Sequence, residues 1–207
     1  WSSDVCSSDL DLLRVPELRR VLIAGGTLLT GIDMFEFYMP VYTRSIGLSA
    51  SVIGVIVSMY AVAAFAVRAA IPMLVRWRSE ERLLTLCLAL GGMGYLLVPF
   101  LENPWLLGGV AGLLGFCMGC GQPLTMSVIY NRSPAGRSGE ALGLRLTSNN
   151  ITHTGVPVIF GALGSAIGVA PVFWVIALML GAGAFYNRSG NDPTKVENEP
   201  PSNRETP

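Results

Sequence analysis

Asp33, Glu36, Gln122, Arg145, Asn149 and His153 are polar side chains set inside long apolar runs. Carboxylates and an imidazole can take up and release protons, and a guanidinium with amides can hold a polar or anionic solute. An ionised side chain at the bilayer centre costs about 2.5–3.5 kcal/mol on insertion scales, so such groups persist where they face a water-filled cavity or one another. Spacing sharpens the pattern. Thr27, Thr30, Asp33 and Glu36 recur every third residue and read as a slanting polar stripe on one helix face. Arg145, Asn149 and His153 recur every fourth and stack on one face, with Pro157 continuing the line. Thr30, Arg68 and Asn150 are weaker members of the same set.

Each residue also has a plainer reading. Glu36 and Arg145 lie a few turns from a helix end, where snorkelling to the nearest surface would explain them. Asp33, within roughly one turn of the midplane at 1.5 Å per residue, is harder to explain that way. His153 is the single histidine. It suits a structural imidazole bonded to a backbone carbonyl as well as a proton relay with an ordinary pKa of about 6.5. Arg68 suits a helix anchor as well as a cavity residue. Cys117-x-x-Cys120 has redox or metal spacing, but no second pair and no neighbouring histidine accompany it. Cys87, Cys117 and Cys120 therefore read as small apolar packing residues, and no metal or cofactor is expected.

The elements that must position these groups follow from composition. Of 207 residues 51% are hydrophobic and 14% charged, with 24 glycines and a mean hydropathy of +0.52. Soluble domains carry about 25% charge, so the solvent of this chain is lipid. A formal net charge of zero suggests no nucleic-acid partner. Six segments approach the roughly 20 apolar residues that a bilayer requires. They run over about 21–42, 50–75, 83–101, 105–130, 141–164 and 171–186, and predict an all-α polytopic bundle of six transmembrane helices. Residues 11–20 read as a cytoplasmic linker. Residues 187–207, rich in Pro, Asn and Glu, read as a disordered cytoplasmic tail.

Threading six spans puts Arg14, Arg19, Arg20, Arg76, Arg78, Arg82, Arg132, Arg137, Arg188, Lys195 and Arg204 on one side and only Arg44 on the other. The positive-inside rule makes the first side cytoplasmic and the chain an integral plasma (inner) membrane protein. Polarity has a period of three: two polar helices precede an apolar one, twice over. That predicts two related three-helix repeats, a common way of building transporters.

Three stretches then carry a resemblance. "LLRVPELRRVL" is similar to the cytoplasmic lead-in to the second half of a major facilitator superfamily transporter. "YTRSIGLSASVIGVIVSMYAVAAFAVR" resembles the loop and helix that follow, and "GCGQPLTMSVIYNRSPAGRSGEALGLRLTSNNITHTGVPVIFGALGSAIGVAPVFW" resembles the last three helices. The resemblance covers about residues 12–186. The family's loop after the second helix is present in degenerate form, "PMLVRWRSEER", which keeps Arg76 and Trp77 but not the glycines or the Asp. Arg137 opens the corresponding turn before the fifth helix. The resemblance implies alternating access between two six-helix bundles, with the first and fourth helices lining the cavity, the second and fifth flanking it, and the third and sixth facing lipid. It implies that Asp33, Glu36 and Gln122 line the cavity, with Arg145, Asn149 and His153 beside it. The partners implied are the lipid bilayer, an N-terminal six-helix half, a small-molecule substrate and protons.

Other classes fit less well. A rhomboid-type protease needs a Gly-x-Ser-Gly nucleophile, which is lacking, so no enzyme is expected. There is no voltage-sensor repeat and no selectivity-filter sequence. A non-transporting sensor of the same fold stays open. The opening "WSSDVCSSDL" fits neither a signal peptide nor a lipidation site. It resembles the in-frame translation of a widely used short-read sequencing adapter, TGG AGT TCA GAC GTG TGC TCT TCC GAT CT. Residues 1–10, Cys6 among them, are expected to be a scar rather than native sequence. Leaving out Asp4 and Asp9 moves the formal charge from zero to +2.

Overall fold

The computed structural model describes residues 16–77, 79–133 and 136–188. The leader at 1–10, residues 11–15 of the linker and residues 189–207 of the tail lie outside the described residues. Six long helices follow in order: α1 Pro16–Ser45, α2 Ala50–Trp77, α3 Glu80–Leu97, α4 Pro104–Arg132, α5 Ser138–Ile167 and α6 Val169–Arg188. A 3-10 turn, Val98–Phe100, continues α3.

Local chemistry sets the ends. Pro16 opens α1 and Pro104 opens α4, where a missing N–H costs nothing. The Asn103 side chain accepts a hydrogen bond from the Trp105 backbone N–H at 3.0 Å and caps α4. Gly168, with φ of 88°, turns the chain between α5 and α6 in a conformation that other residues rarely adopt. Helix α1 reaches further back than the expected linker boundary, so residues 16–20 are helical. Leu18, Val21 and Leu22 explain this by burying themselves against Val128, Ile129 and Ala141.

Five of the described helices are long and apolar enough to cross a membrane: α1, α2, α3, α4 and α6. Helix α5 is as long as α1 but more polar, because residues 145–154 contribute an arginine, two asparagines, a histidine and several hydroxyls. It still runs beside α1 from end to end. Its N-terminal Ala141, Leu142 and Leu144 pack with Leu18 and Val21, and near its C-terminus the Phe160 carbonyl accepts the Tyr38 hydroxyl.

Exchanging α1, α2 and α3 for α4, α5 and α6 maps the main packing pairs onto one another. The α2–α4 seam corresponds to α5–α1 and the α3–α4 seam to α6–α1, while α1–α4 and α3–α6 map onto themselves. Successive helices alternate in direction, so the two three-helix units are inverted repeats. Helices α1 and α4 form the centre and are the most buried. Helix α2 is the barest of the five apolar helices, with 17% of its most apolar stretch buried against 61% for α1. Helices α3 and α6 pack on each other and keep outer faces with Leu86, Met93, Leu178 and Phe185 exposed.

Close approach in the α2–α4 seam depends on small residues, since lipid supplies no hydrophobic drive to bring helices together. A Cβ on Gly119 would stand 2.7 Å from the Ala64 Cα, and one on Gly115 would collide with the Tyr60 carbonyl. Both obstacles are backbone and cannot rotate away. Gly115→Ala and Gly119→Ala should each destabilise the bundle by about 1–3 kcal/mol. Gly109→Ala and Gly112→Ala, which would meet nothing within 4 Å, should be neutral. Thermal unfolding in detergent reads the difference, and equal effects at all four positions would contradict this packing.

Candidate functional site

Two of the polar residues sit at the centres of their helices. Asp33 is within about three residues of the middle of α1, and His153 within about one residue of the middle of α5. At 1.5 Å per residue both lie within roughly 5 Å of the helix midpoints. The crossing of α1 and α5 brings them together, with His153 Nδ1 2.8 Å from Asp33 Oδ2. The Asp33 side chain is 13% exposed and that of His153 50% exposed. The two atoms are within hydrogen-bonding distance, and Oδ2 is shut off from solvent. The pair is thus an ion pair only when the imidazole carries its second proton.

A second cluster lies about two turns toward the end that carries most of the arginines. Arg145, 9% exposed, reaches from α5 across to α4. Its Nη2 donates to the Gln122 side-chain Oε1 at 2.6 Å, the Gln122 backbone carbonyl at 3.1 Å and Thr125 Oγ1 at 3.1 Å. Its Nε is buried without an acceptor. Arg145 therefore does not snorkel. Burial of a charge on this scale is tolerated only because one nitrogen meets three oxygens.

The other candidates are placed differently. Glu36 and Arg68 are exposed, and both lie with Asp33 within electrostatic reach of Tyr60 on α2. Asn149 is half-buried and Asn150 exposed. Thr30 is buried, and its hydroxyl donates to the Gly26 carbonyl of its own helix, which leaves no donor for a solute. Arg76 is exposed at the end of α2; the side chain of Trp77 lies outside the described residues. Arg137 pairs with Glu140 three residues on, at 2.6 Å.

The stripe on α1 is not one face. A step of three residues turns back by about 60°, so three steps from Thr27 to Glu36 cover roughly 180°. Thr27 accordingly packs near Gly183 of α6, whereas Glu36 points out of the bundle. Steps of four drift by only about 40°, which is why Arg145 and His153 can both reach neighbours, though different ones: α4 and α1.

The sequence reading missed Thr125, Tyr60, Pro40 and Pro72, and it noted Pro157 only as continuing the line of His153. Tyr60 stacks on Phe35 with ring centroids 4.0 Å apart, so it ties α2 to α1 beside Asp33. Helices α1, α2 and α5 run through Pro40, Pro72 and Pro157. A proline has no N–H, so the carbonyl four residues earlier loses its intrahelical donor. Those carbonyls belong to Glu36, Arg68 and His153. Three polar residues thus also offer a bare backbone acceptor, and the four-residue offset was a signal readable in the chain.

These features, a carboxylate–imidazole pair near the helix midpoints and prolines that free carbonyls on the same three helices, put polar groups where a packed apolar core would carry none. No curated protein sequence matches the chain. The Major Facilitator Superfamily matches it over residues 12–206, a stretch that contains all six helices. The chain belongs to the major facilitator superfamily and is an integral membrane protein of that family of transporters.

Proposed function

We propose that this six-helix unit is the C-terminal half of a proton-coupled secondary transporter that moves a small organic solute by alternating access. The single observation that carries the coupling is the Asp33–His153 pair, two titratable groups on different helices near the helix midpoints, 2.8 Å apart. A carboxylate so placed can hold a proton in one state and face an imidazolium or a solute charge in the other. Motion of α5 against α1 would make or break the pair, and this links protonation to the rocking of the bundle. Glu36, Arg68 and Gln122, with Asn149 beside them, supply polar contacts along the same pathway, and Asn150 and Thr30 border it.

The exposed helix α2 and the open flank of α1 suit a facing six-helix unit, so the complete cavity lies between two bundles. The end that carries Arg19, Arg20, Arg76, Arg82, Arg132, Arg137 and Arg188 is proposed to be cytoplasmic in a plasma (inner) membrane, with Arg44 at the other end. Arg145 has a separate role here: it positions α5 on α4.

Two experiments follow from these assignments. In the complete transporter, Asp33→Asn should lower proton-driven flux by more than about tenfold while leaving energy-independent exchange measurable; His153→Gln should shift the pH dependence of flux. Flux with unchanged pH dependence in both variants would sink the coupling assignment. Arg145→Met should cost about 1–3 kcal/mol, chiefly by leaving the Gln122 side-chain Oε1 without its donor. Leu146→Ala on the exposed face should change thermal stability little. Equal melting temperatures for the two variants would show that the α4–α5 tie contributes nothing.

A further inference from the structure

A groove of ≈ 500 Å³ lies on the flank of α5 opposite His153. Leu144 lines it and is nine residues from His153, which at 100° per residue is half a turn of the helix. The floor is α1, from Arg19 to Thr30; one wall is α5, from Leu144 to Val156; Met179 of α6 closes the back. The groove thus runs beside the Asp33–His153 pathway, shares Thr30 with its border, and lies between α5 and α6.

Its chemistry changes along its length. At the mouth stands Arg19, exposed, with no carboxylate paired to it among the described residues. Arg20 beside it is turned to the ring of Tyr186, 6.0 Å away, so Arg19 alone faces the groove. Deeper in, Ile23, Leu144 and Ile151 supply apolar surface. The hydroxyls of Thr27, Thr30, Thr147 and Thr152 all donate to carbonyls of their own helices. Their methyl groups are left for an occupant, and Ser148 is the one lining hydroxyl without a partner among the described residues. From Arg19 to Thr30 is about 16 Å along α1, close to half the roughly 30 Å hydrocarbon core. A single cation at the interface above an apolar slot one leaflet deep fits a lipid chain with an anionic headgroup.

We propose that this groove binds an anionic phospholipid from the leaflet at the arginine-rich end. The Arg19 guanidinium takes the phosphate, and one acyl chain lies between α1, α5 and α6. Charge complementarity selects the headgroup, since basic pockets between helices at this depth recognise anionic lipids. The slot matches a chain and offers a polar peptide a single free hydroxyl, that of Ser148. The proposal does not depend on transport, so a chain inactive in flux still tests it.

The intact chain is equilibrated in equal parts of phosphatidylglycerol and phosphatidylcholine, and the lipid retained is counted by native mass spectrometry. The wild type should retain phosphatidylglycerol preferentially. Arg19→Gln should reduce that preference about fivefold, the factor that ~1 kcal/mol per surface cation represents. Ile151→Trp should block the chain and lower retention of both lipids. Ile151 is 68% exposed, so this change should leave the melting temperature intact, and Ile151→Phe serves if it does not. Arg188→Gln, at the same end but outside the groove, should retain the wild-type preference. Four results would overturn the proposal: an unchanged preference in Arg19→Gln, an equal loss in Arg188→Gln, unchanged retention in Ile151→Trp, or displacement of the lipid by inorganic phosphate. The last would mark an anion site without a lipid chain.

Discussion

A polar group in hydrocarbon must find a partner or water, and this constraint decides how α5 sits. It is the helix least suited to lipid, yet it lies at the side of the bundle. Each polar residue on it meets the constraint in its own way. Arg145 turns inward and is satisfied by three oxygens of α4. His153 meets the carboxylate of Asp33 on α1. The threonines return their hydroxyl protons to their own helix. The residues left over, Asn149 and Asn150, mark the surface where water or another bundle is needed. One flank of α5 therefore carries the ionisable groups, and on the opposite flank most hydroxyls are spent on their own helix.

The centre of the bundle is built on the reverse principle. Helices α1 and α4 carry glycines where they meet neighbours: Gly115 and Gly119 face backbone of α2, while Gly31, Gly108 and Gly121 make room for Met118, Met59 and Leu28. Large aromatic residues join separate helices: Tyr95 of α3 donates to the Gly31 carbonyl of α1, and Tyr38 of α1 to the Phe160 carbonyl of α5. Such hydroxyl-to-carbonyl bonds tie helices without placing a charge in the core. Prolines cost the helices hydrogen bonds, but three of them do so where a polar side chain is already present. Local strain and polar function thus coincide on α1, α2 and α5.

At the arginine-rich end the inverted repeats are closed by short-range charge. Arg132 at the end of α4 meets Glu81 at the start of α3 at 2.6 Å, and Glu80 accepts from Ser127. Asn187 of α6 bonds Thr85 and the Glu81 carbonyl, so three helices share one small polar knot. At this exposed end each ion pair contributes little by itself. Together they hold α3, α4 and α6 in one register at their tips.

The sequence by itself determined the helical class, the number of long segments, their ends to within a few residues and the asymmetry of charge between the two faces. Those properties depend on local composition, on caps such as Asn103 and on the length of each apolar run. It also singled out Asp33, Arg145 and His153, because an ionisable residue in an apolar run stands out without any knowledge of its neighbours. Only the tertiary structure decided who meets whom. The crossing of α1 with α5 selects His153 for Asp33, and the α4–α5 contact gives Arg145 to Gln122 and Thr125. It also unwinds the apparent stripe on α1, since a period of three drifts around a helix of 3.6 residues per turn and leaves Thr27 inside and Glu36 out. Partner choice depends on crossing angles set by glycines far away in the chain, and no local pattern encodes them.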